Sequence, residues 1–350
     1  MIAVNKSKTP ERSRAYKTLT AGELAVANLP DEEWILEDLI AEGKITILAA
    51  DTGVGKSMLA EQIGIAVASG IGEVMGFKIP SAKRVLFINL EMTDRDLQKR
   101  LLNMLKTPGI KGSSWDKNLK VTSAGEEGKT LMFDSVWERI EDTIVEEERY
   151  DLIIVDNLYT SITADEESNK ELKRVIQKMH EVAGIKGSAL LLIAHHIKHN
   201  KERDYLDVAT IHGASSLQNN VQIIFQIAKS VTEPGLVLLR VTKNRFSPRY
   251  NNKTLGIRMN DNTCWFERLG MIDEPDQHLI SKRVTRQRKE FLDNFDQQIT
   301  RKEVVDWYEA KGMTERAADK RLKAMVKAGT VSNPSQGVYM KTDLIHEGTL

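Results

Sequence analysis

The stretch that decides the fold is "ADTGVGKS", Ala50–Ser57. Two glycines, a lysine and a hydroxyl residue stand at the spacing of a phosphate-binding loop (P-loop, or Walker A), but alanine replaces the first glycine. Gly53 and Gly55 free the backbone to point N–H groups at phosphate oxygens, Lys56 supplies charge, and Ser57 supplies a ligand for magnesium. Alanine adds only a methyl group where the strand leaves for the loop, so we expect a working nucleotide loop. Its predicted nucleotide-binding residues are Asp51, Thr52, Gly53, Val54, Gly55, Lys56, Ser57 and Met58.

Strands and helices alternate on both sides of this loop. The strand "KITILAA" precedes it, and a helix with apolar residues at helical spacing follows it and ends at Gly70. Further apolar strands are "RVLFINLE", "DLIIVD", "ALLLIAHH", "VQIIFQI" and "GLVLLRVTK", with amphipathic helices from about residue 134 and around residues 170–182. The alternation predicts an α/β fold, a mostly parallel sheet with helices on both faces.

The chain is long enough for a large domain followed by a small one. We expect a flexible segment over residues 1–20, a P-loop domain over 21–272, a linker over 273–284 and a second domain over 285–350. The stretch "GIRMNDNTCWFERL" (Gly256–Leu269) reads as a hairpin that closes the large domain.

Composition excludes several classes of protein. The formal net charge is zero, although the last 70 residues carry four more basic than acidic side chains and the rest of the chain the reverse. A single cysteine, Cys264, excludes an intrachain disulfide and an all-cysteine metal cage. The N-terminus lacks the apolar core of a secretory signal, and the apolar run Ala189–Ala194 is too short to cross a bilayer. We therefore expect a soluble, cytoplasmic protein with no membrane partner.

Polar side chains close three of the predicted strands, at the sheet edge where ligands bind in such folds. Asp156 is the expected second magnesium anchor, and Glu91 the expected residue that orients or deprotonates water. The alternatives are a turn-capping carboxylate and a surface glutamate. His195 and His196 could sense the γ-phosphate, although either could be structural, and which of them faces inward stays open. A metal site built on this pair lacks a matching third ligand nearby.

Six motifs in order then resemble the RepA-like and DnaB-like branch of RecA-type ATPases, the motors of ring-shaped hexameric replicative helicases. The motifs are "ADTGVGKS", "FINLEM", "DLIIVDN", "LLLIAHHIK", "HGASSLQ" and "VTKNRFSP". The similarity spans roughly residues 21–248, and alanine at the first loop position is itself similar to the DnaB-type loop. The resemblance implies a RecA-like domain, ATP and Mg²⁺ as cofactors, and a homo-oligomer in the form of a hexamer.

The resemblance also implies residues that act between subunits and on DNA. Lys243 and Arg245 match a Lys-x-Arg pair that reaches the neighbouring subunit's nucleotide. Lys198, Lys201, Arg203 and His212 occupy the place of loops that contact single-stranded DNA in a central channel. Without the resemblance, these are two exposed cations near a turn and a solvated charged loop. The sequence departs from the family pattern where many relatives carry acidic residues, with polar amides instead: Gln218, Asn219, Asn220 and Gln222.

The C-terminal segment has the pattern of a winged helix-turn-helix. Thr300 and Glu303 form a capping box that opens one helix, Thr314 can cap the next, and a hairpin follows. The second helix has an apolar face and an opposite basic face, which predicts contact with duplex DNA. The alternative is a solvated face on a protein-interaction domain. The predicted DNA-binding residues of this helix are Arg316, Lys320, Lys323 and Lys327.

The leading hypothesis is a Mg-ATP-dependent DNA motor, a replicative helicase of a plasmid, phage or other mobile element. The alternative is an ATP-switched DNA-binding regulator or helicase loader that does not unwind DNA processively. A small-molecule phosphotransferase is a weaker third interpretation, because no Arg-rich lid insertion is recognisable.

Overall fold

The computed structural model describes most of the chain, in two units that are considered separately, residues 1–32 and 33–350. The described residues are 18–29, 31–123, 134–146, 149–157, 187–196, 206–211, 219–279, 290–327, 330–335 and 337–341, with 174, 175, 177, 178, 180, 181 and 287. In the first unit, a capping box between Thr20 and Glu23 opens helix α1, whose side chains are all exposed.

The second unit contains the strands and helices that the sequence predicts around the loop. Its described helices are α2 (Lys56–Ser69), α3 (Asp94–Met104), α4 (Trp115–Asn118), α5 (Asp134–Glu146), α6 (Asp276–Leu279), α7 (Arg301–Glu309) and α8 (Glu315–Lys327), after α1 (Ala21–Val26) of the first unit. Its described strands are β1 (Trp34–Leu36), β2 (Ile40–Ala41), β3 (Ile45–Ala50), β4 (Glu73–Val74), β5 (Phe77–Lys78), β6 (Val85–Asn89), β7 (Leu119–Ser123), β8 (Leu152–Asp156), β9 (Ala189–His195), β10 (Ile223–Lys229), β11 (Leu236–Asn244), β12 (Thr254–Asn260), β13 (Trp265–Ile272), β14 (Gln298–Thr300), β15 (Val331–Ser335) and β16 (Val338–Lys341). In the predicted helix at 170–182, the described residues from 174 to 181 are helical.

Nine strands form one sheet in the order β13-β12-β11-β10-β3-β9-β8-β6-β7. The six strands from β10 to β7 pair in parallel, and β10 to β13 continue the sheet with antiparallel pairs. The predicted mostly parallel α/β sheet is therefore confirmed. The β12–β13 pair is the predicted hairpin, with Asn260 paired to Trp265 across its turn.

Two apolar clusters cover the two faces of the sheet, as the near-continuous apolar strands predict. Alternate residues of β3 point to opposite faces, so that Leu48 packs in one cluster and Ile47 in the other. Helix α2 belongs to the first cluster and helix α5 to the second. The carboxyl ends of β3, β6, β8 and β9 consequently meet at one edge between the two layers.

The segment expected to be a linker is partly ordered. Asp276–Leu279 form α6, and Leu279 is buried against Leu206, Ala228 and Leu238. Residues 280–286 lie outside the described residues.

The C-terminal residues have the element order that the sequence predicts. The capping box at Thr300 opens α7, and the Thr314 hydroxyl accepts a hydrogen bond at the start of α8. Strands β15 and β16 form the predicted hairpin, and β14 adds a third strand on β16. Among the described residues, the apolar side chains of 291–339 form a cluster of their own. The domain boundaries and the winged-helix assignment stay predictions.

Candidate nucleotide site

The loop from Asp51 to Gly55 joins the end of β3 to the start of α2. Gly53 and Gly55 both have positive φ, at 76° and 110°. A Cβ at Gly55 would lie 2.8 Å from the Phe266 ring, so this position requires glycine for space as well as for conformation. Ala50 is the last residue of β3, buried and paired with His195, which explains why alanine is tolerated there.

The start of α2 has the properties of an anion site. Gly55 is its N-terminal cap, and no side chain in the described chain caps the helix. The first N–H groups of a 14-residue helix therefore face the loop, where they and the helix dipole favour negative charge.

Lys56 is buried at the base of the loop. Its Nζ donates to the Asp51 carbonyl at 2.9 Å and lies 3.3 Å from Nδ1 of His195. Burial lowers the pKa of Lys56, while the carboxylates of Asp156, Glu91 and Asp51 oppose that shift. A buried ammonium at the base of the loop, beside a carbonyl and an imidazole, is well placed to bind a phosphate.

Asp156 ends β8 and is fully buried. Burial is the main cause that raises its pKa to about 6; Glu91 raises it further, whereas Ser57, Lys56 and Arg100 lower it. The Ser57 hydroxyl is near enough to favour the carboxylate, yet neither carboxylate oxygen has a hydrogen-bond partner within the described residues. Two unpaired buried oxygens beside a hydroxyl fit a Mg²⁺ ligand set, because leaving them unpaired costs free energy that a cation would offset.

Glu91 lies two residues beyond the end of β6, the strand that pairs with β8 and places Asn89 opposite Asp156. The Asn89 side chain caps the turn after β6 by accepting from the Glu91 and Met92 amides at 3.2 and 2.9 Å. The Leu90 amide donates to the Asp156 carbonyl at 2.7 Å, which ties the two strand ends together. Glu91 is exposed at the mouth of the site, as a residue that acts on water must be.

Asn157 is a site residue that sequence reasoning missed. It is buried, and its Nδ2 donates to Oε2 of Glu91 at 2.9 Å and lies 3.3 Å from Nε2 of His195. The sequence did contain an indication of this role, because Asn157 directly follows Asp156, the predicted metal ligand. Its partners, however, are 66 and 38 residues away along the chain.

The two histidines face different neighbours. His195 lies between Lys56 and Asn157, and burial and the Lys56 charge are the main causes that lower its pKa, so that the ring is neutral at neutral pH. His196 is buried, with Nδ1 3.4 Å from Oδ1 of Asp51 and Nε2 2.9 Å from Nε2 of Gln226. Of the two histidines, His195 is therefore the one beside Lys56, the predicted phosphate-binding lysine. In the described part of the chain, no group of three or more His, Cys, Asp or Glu side chains could hold a metal ion on its own.

A buried ion pair borders the site and was also missed. Glu61 lies on α2 one turn after Ser57, and its Oε1 is 3.1 Å from NH1 of Arg100 on α3. Burial raises the pKa of Glu61 to about 7, opposed by Arg100 and reinforced by Asp156. This pair connects the helix after the loop with the helix after Glu91.

Lys243 and Arg245 lie away from this chain's own loop. Lys243 Nζ donates to the Val221 carbonyl at 2.6 Å, and Arg245 to the Asn219 carbonyl at 3.3 Å. Burial and the nearby Arg245 lower the pKa of Lys243. Asn244 pairs with Ile223, at the sheet edge where the parallel strands begin. The nucleotide loop follows the carboxyl end of β3, at the opposite edge of the sheet. The six residues of β3 separate the two edges by about 16 Å.

The remaining predicted residues are placed only in part. Lys198, Lys201, Arg203 and His212 lie outside the described residues, and so does Gln218. Gln222 does not face outward: its Oε1 accepts from the Ile45 amide at 3.1 Å. On α8, Arg316, Lys320 and Lys323 are exposed on the side opposite the buried Ala318 and Leu322, and the side chain of Lys327 is not among those described. Among the described residues, no helix is long and apolar enough to cross a membrane.

The fold and the site together define an α/β P-loop ATPase. The chain belongs to the AAA domain family, which matches residues 9–202. No curated protein shows significant similarity to the chain. Among solved structures, it is similar to the KaiC-like protein PH0186 from Pyrococcus horikoshii OT3, with 14% identity and a TM-score of 0.48 over 67% of this chain and 93% of that one. It is also similar to the RadB recombinase, with 18% identity and a TM-score of 0.47 over 65% of this chain and 91% of that one.

Proposed function

We propose that the chain is a magnesium-dependent ATPase that forms a hexameric ring and moves along single-stranded DNA as the replicative helicase of a plasmid, phage or other mobile element. The observation that carries the ATPase proposal is one cluster at the carboxyl edge of the sheet. There, the loop lysine, an unpaired buried carboxylate, an exposed glutamate and a neutral histidine converge from four neighbouring strand ends.

Each residue of the cluster has a distinct task in ATP hydrolysis. Lys56 and the first amides of α2 bind the phosphates. Glu91, held by the Asn157 amide, orients the attacking water and accepts its proton. His195 contacts the γ-phosphate from beside Lys56. These groups are already in place before substrate arrives, which is the condition for efficient stabilisation of a charged transition state.

Ser57 and Asp156 would hold the magnesium ion. When bound, the ion neutralises charge on the phosphates of ATP. Asp156 would bind it as the carboxylate, which is the main form at neutral pH even though burial raises the pKa to about 6.

Arg245 and Lys243 complete the site of a neighbouring subunit. Both lie at the edge of the sheet opposite the loop, so neither can serve the nucleotide of its own chain. An exposed arginine supplied from a neighbour places positive charge where the transition state accumulates negative charge. It also makes hydrolysis depend on ring assembly.

DNA contact would come from two places. The residues proposed for the channel, Lys198, Lys201, Arg203 and His212, belong to one segment of mixed charge whose basic side chains could follow a phosphate backbone. The exposed basic face of α8, in a helix-turn-helix arrangement with a following hairpin, would bind duplex DNA.

The test is ATP hydrolysis and fork unwinding by the purified protein. We expect single-stranded DNA to accelerate hydrolysis severalfold or more, and strand separation to disappear in Lys56→Ala. Exchange of the exposed Lys99 for alanine is the control for loss of one lysine. Active hydrolysis without unwinding over a range of fork substrates would contradict the helicase role.

An ATP-switched DNA-binding regulator or loader is the second candidate, favoured by the exposed cations of α8. A regulator would have the same nucleotide site as a motor, but a different form of DNA would stimulate its ATP hydrolysis. A regulator would be stimulated by duplex DNA bearing its site, and the triple change Arg316→Ala, Lys320→Ala, Lys323→Ala would abolish that response. A motor would retain its response to single-stranded DNA in the same variant.

A further inference from the structure

Asn157 connects two residues of the proposed active site through one amide group. It is buried immediately after Asp156, and one Nδ2 proton points to Glu91 Oε2 while the other points to His195 Nε2. Glu91 is exposed and lies beyond its strand, so rotation of its side chain is limited by few neighbours. The Asn157 amide is therefore a main restraint on where the Glu91 carboxylate lies.

The His195 ring has a donor on each side. Lys56 Nζ lies 3.3 Å from Nδ1, and Asn157 Nδ2 lies 3.3 Å from Nε2. A neutral imidazole carries one proton and can accept only one hydrogen bond. One of these two contacts must therefore set a donor against an N–H group. Reversing the Asn157 amide does not help, because its oxygen would then face the Glu91 carboxylate.

The conflict disappears when the Lys56 ammonium moves away from Nδ1 of the His195 imidazole. Lys56 has a second acceptor in the Asp51 carbonyl and becomes a phosphate ligand in the proposed function. With Lys56 engaged there, His195 can accept from Asn157 at Nε2 and carry its proton on Nδ1. That proton then points to the side of the ring where Lys56 and the phosphates lie.

We propose that Asn157 is a positioning residue that fixes the Nδ1–H tautomer of His195 when nucleotide is bound and, by its direct hydrogen bond to Oε2, holds Glu91 in place for hydrolysis. The proposal rests on the proposed ATPase function. The contact of Asn157 with Glu91 is already present without nucleotide, whereas the His195 tautomer is fixed once phosphate engages Lys56.

Two variants distinguish the hydrogen bonds that the Asn157 amide donates from the packing of its side chain. Asn157→Asp keeps the shape of the side chain but cannot donate when ionised and adds a charge beside Glu91, whereas Asn157→Ala removes the group. We expect both to lower kcat about 10- to 100-fold with KM changed less than about threefold, because the restraint acts on the reacting water rather than on binding. Asn118→Ala is the matched control, since it removes two asparagine hydrogen bonds near the far end of α2.

Nuclear magnetic resonance of ¹⁵N-labelled histidine reads the tautomer directly, without turnover. The His195 signals are assigned by their loss in His195→Gln. With magnesium and a non-hydrolysable ATP analogue, we expect the Nδ1–H form in the wild type and in Asn118→Ala. In Asn157→Ala we expect a shift towards the Nε2–H form. Thermal unfolding of each variant establishes that it is folded.

The results distinguish failure of the inference from failure of the proposed function. If Asn157→Asp hydrolyses ATP as the wild type does, or if the His195 tautomer is the same in wild type and Asn157→Ala, the inference is wrong even though the protein is an ATPase. If the wild type hydrolyses no ATP and binds no nucleotide analogue, the proposed function fails and the inference falls with it.

Discussion

Glu61 shows how a single buried residue links stability to the nucleotide site. Its side chain is 2% exposed, Oε1 pairs with Arg100, and Oε2 has no partner within the described residues. Burial raises the pKa of this carboxyl to about 7, so the nucleotide-free protein holds its proton more tightly than the unfolded chain does. A folded-state pKa above the unfolded value of 4.5 means that stability falls as the pH rises between about 4.5 and 7.

Replacing Glu61 with glutamine removes this dependence. We expect Glu61→Gln to gain stability relative to the wild type as the pH rises from 5 to 8, by about 3 kcal/mol or less. The measurement is the free energy of unfolding from urea titrations at several pH values, without nucleotide. The exposed Glu73 provides the control variant Glu73→Gln, which should follow the wild type. A constant difference between Glu61→Gln and wild type at all pH values would show that Glu61 is ionised throughout.

At this scale, the sequence predicts the residues whose position follows from a strand end. Asp156, Glu91 and His195 could be expected together because the carboxyl ends of parallel strands meet at one edge. Asn157 and Glu61 could not, because their roles depend on partners 66 and 39 residues away. A buried glutamate inside an apolar helix pattern was a visible signal, but the sequence did not indicate Arg100 as its partner.

Among the elements, α2 and β13 are joined by the amide of one glutamine. Gln62 Nε2 donates to the Phe266 carbonyl at 2.8 Å, and its Oε1 accepts from the Phe266 amide at 2.7 Å. Strand β13 is at the edge of the sheet, so these backbone groups face away from β12. Gln62 thus takes the place of a neighbouring strand and holds Phe266 against Gly55.

Loss of this bridge should destabilise the protein. Gln62→Leu replaces the polar side chain by an apolar one of similar size and leaves the buried N–H and carbonyl of Phe266 unpaired. We expect the free energy of unfolding to fall by about 2–4 kcal/mol. Gln98→Leu on the exposed face of α3 is the control and should change it by less than about 0.5 kcal/mol. Equal stability of both variants would mean that water replaces the bridge.

The elements themselves follow closely from the sequence, because apolar runs bounded by loop residues suffice to place strands. The pairing order of the sheet is less accessible, since it depends on contacts between distant segments. The expected linker illustrates this limit: "MIDEPDQH" is polar enough for a linker, yet Leu279 is buried by three residues from other parts of the fold. The turn that directs Arg245 also depends on a distant residue, because Asn244 donates to the Asp38 carbonyl at 2.8 Å.

For the whole molecule, the central claim is that one active site needs two chains. The loop and the proposed magnesium ligands lie at one edge of the sheet, and Lys243 and Arg245 lie at the other. A head-to-tail ring would bring the opposite edges of neighbouring copies together. Each copy would then supply the loop of one site and the arginine of the next.

Mixing two inactive variants tests this claim most directly. Lys56→Ala destroys the loop of its own chain, and Arg245→Ala destroys the arginine that its chain supplies. If Arg245 acts on the neighbouring subunit, equal mixtures should restore basal ATP hydrolysis at up to about a quarter of the sites, because each intact half is present with a probability of about one half. No recovery, although mixed oligomers have formed, would contradict a site shared between chains.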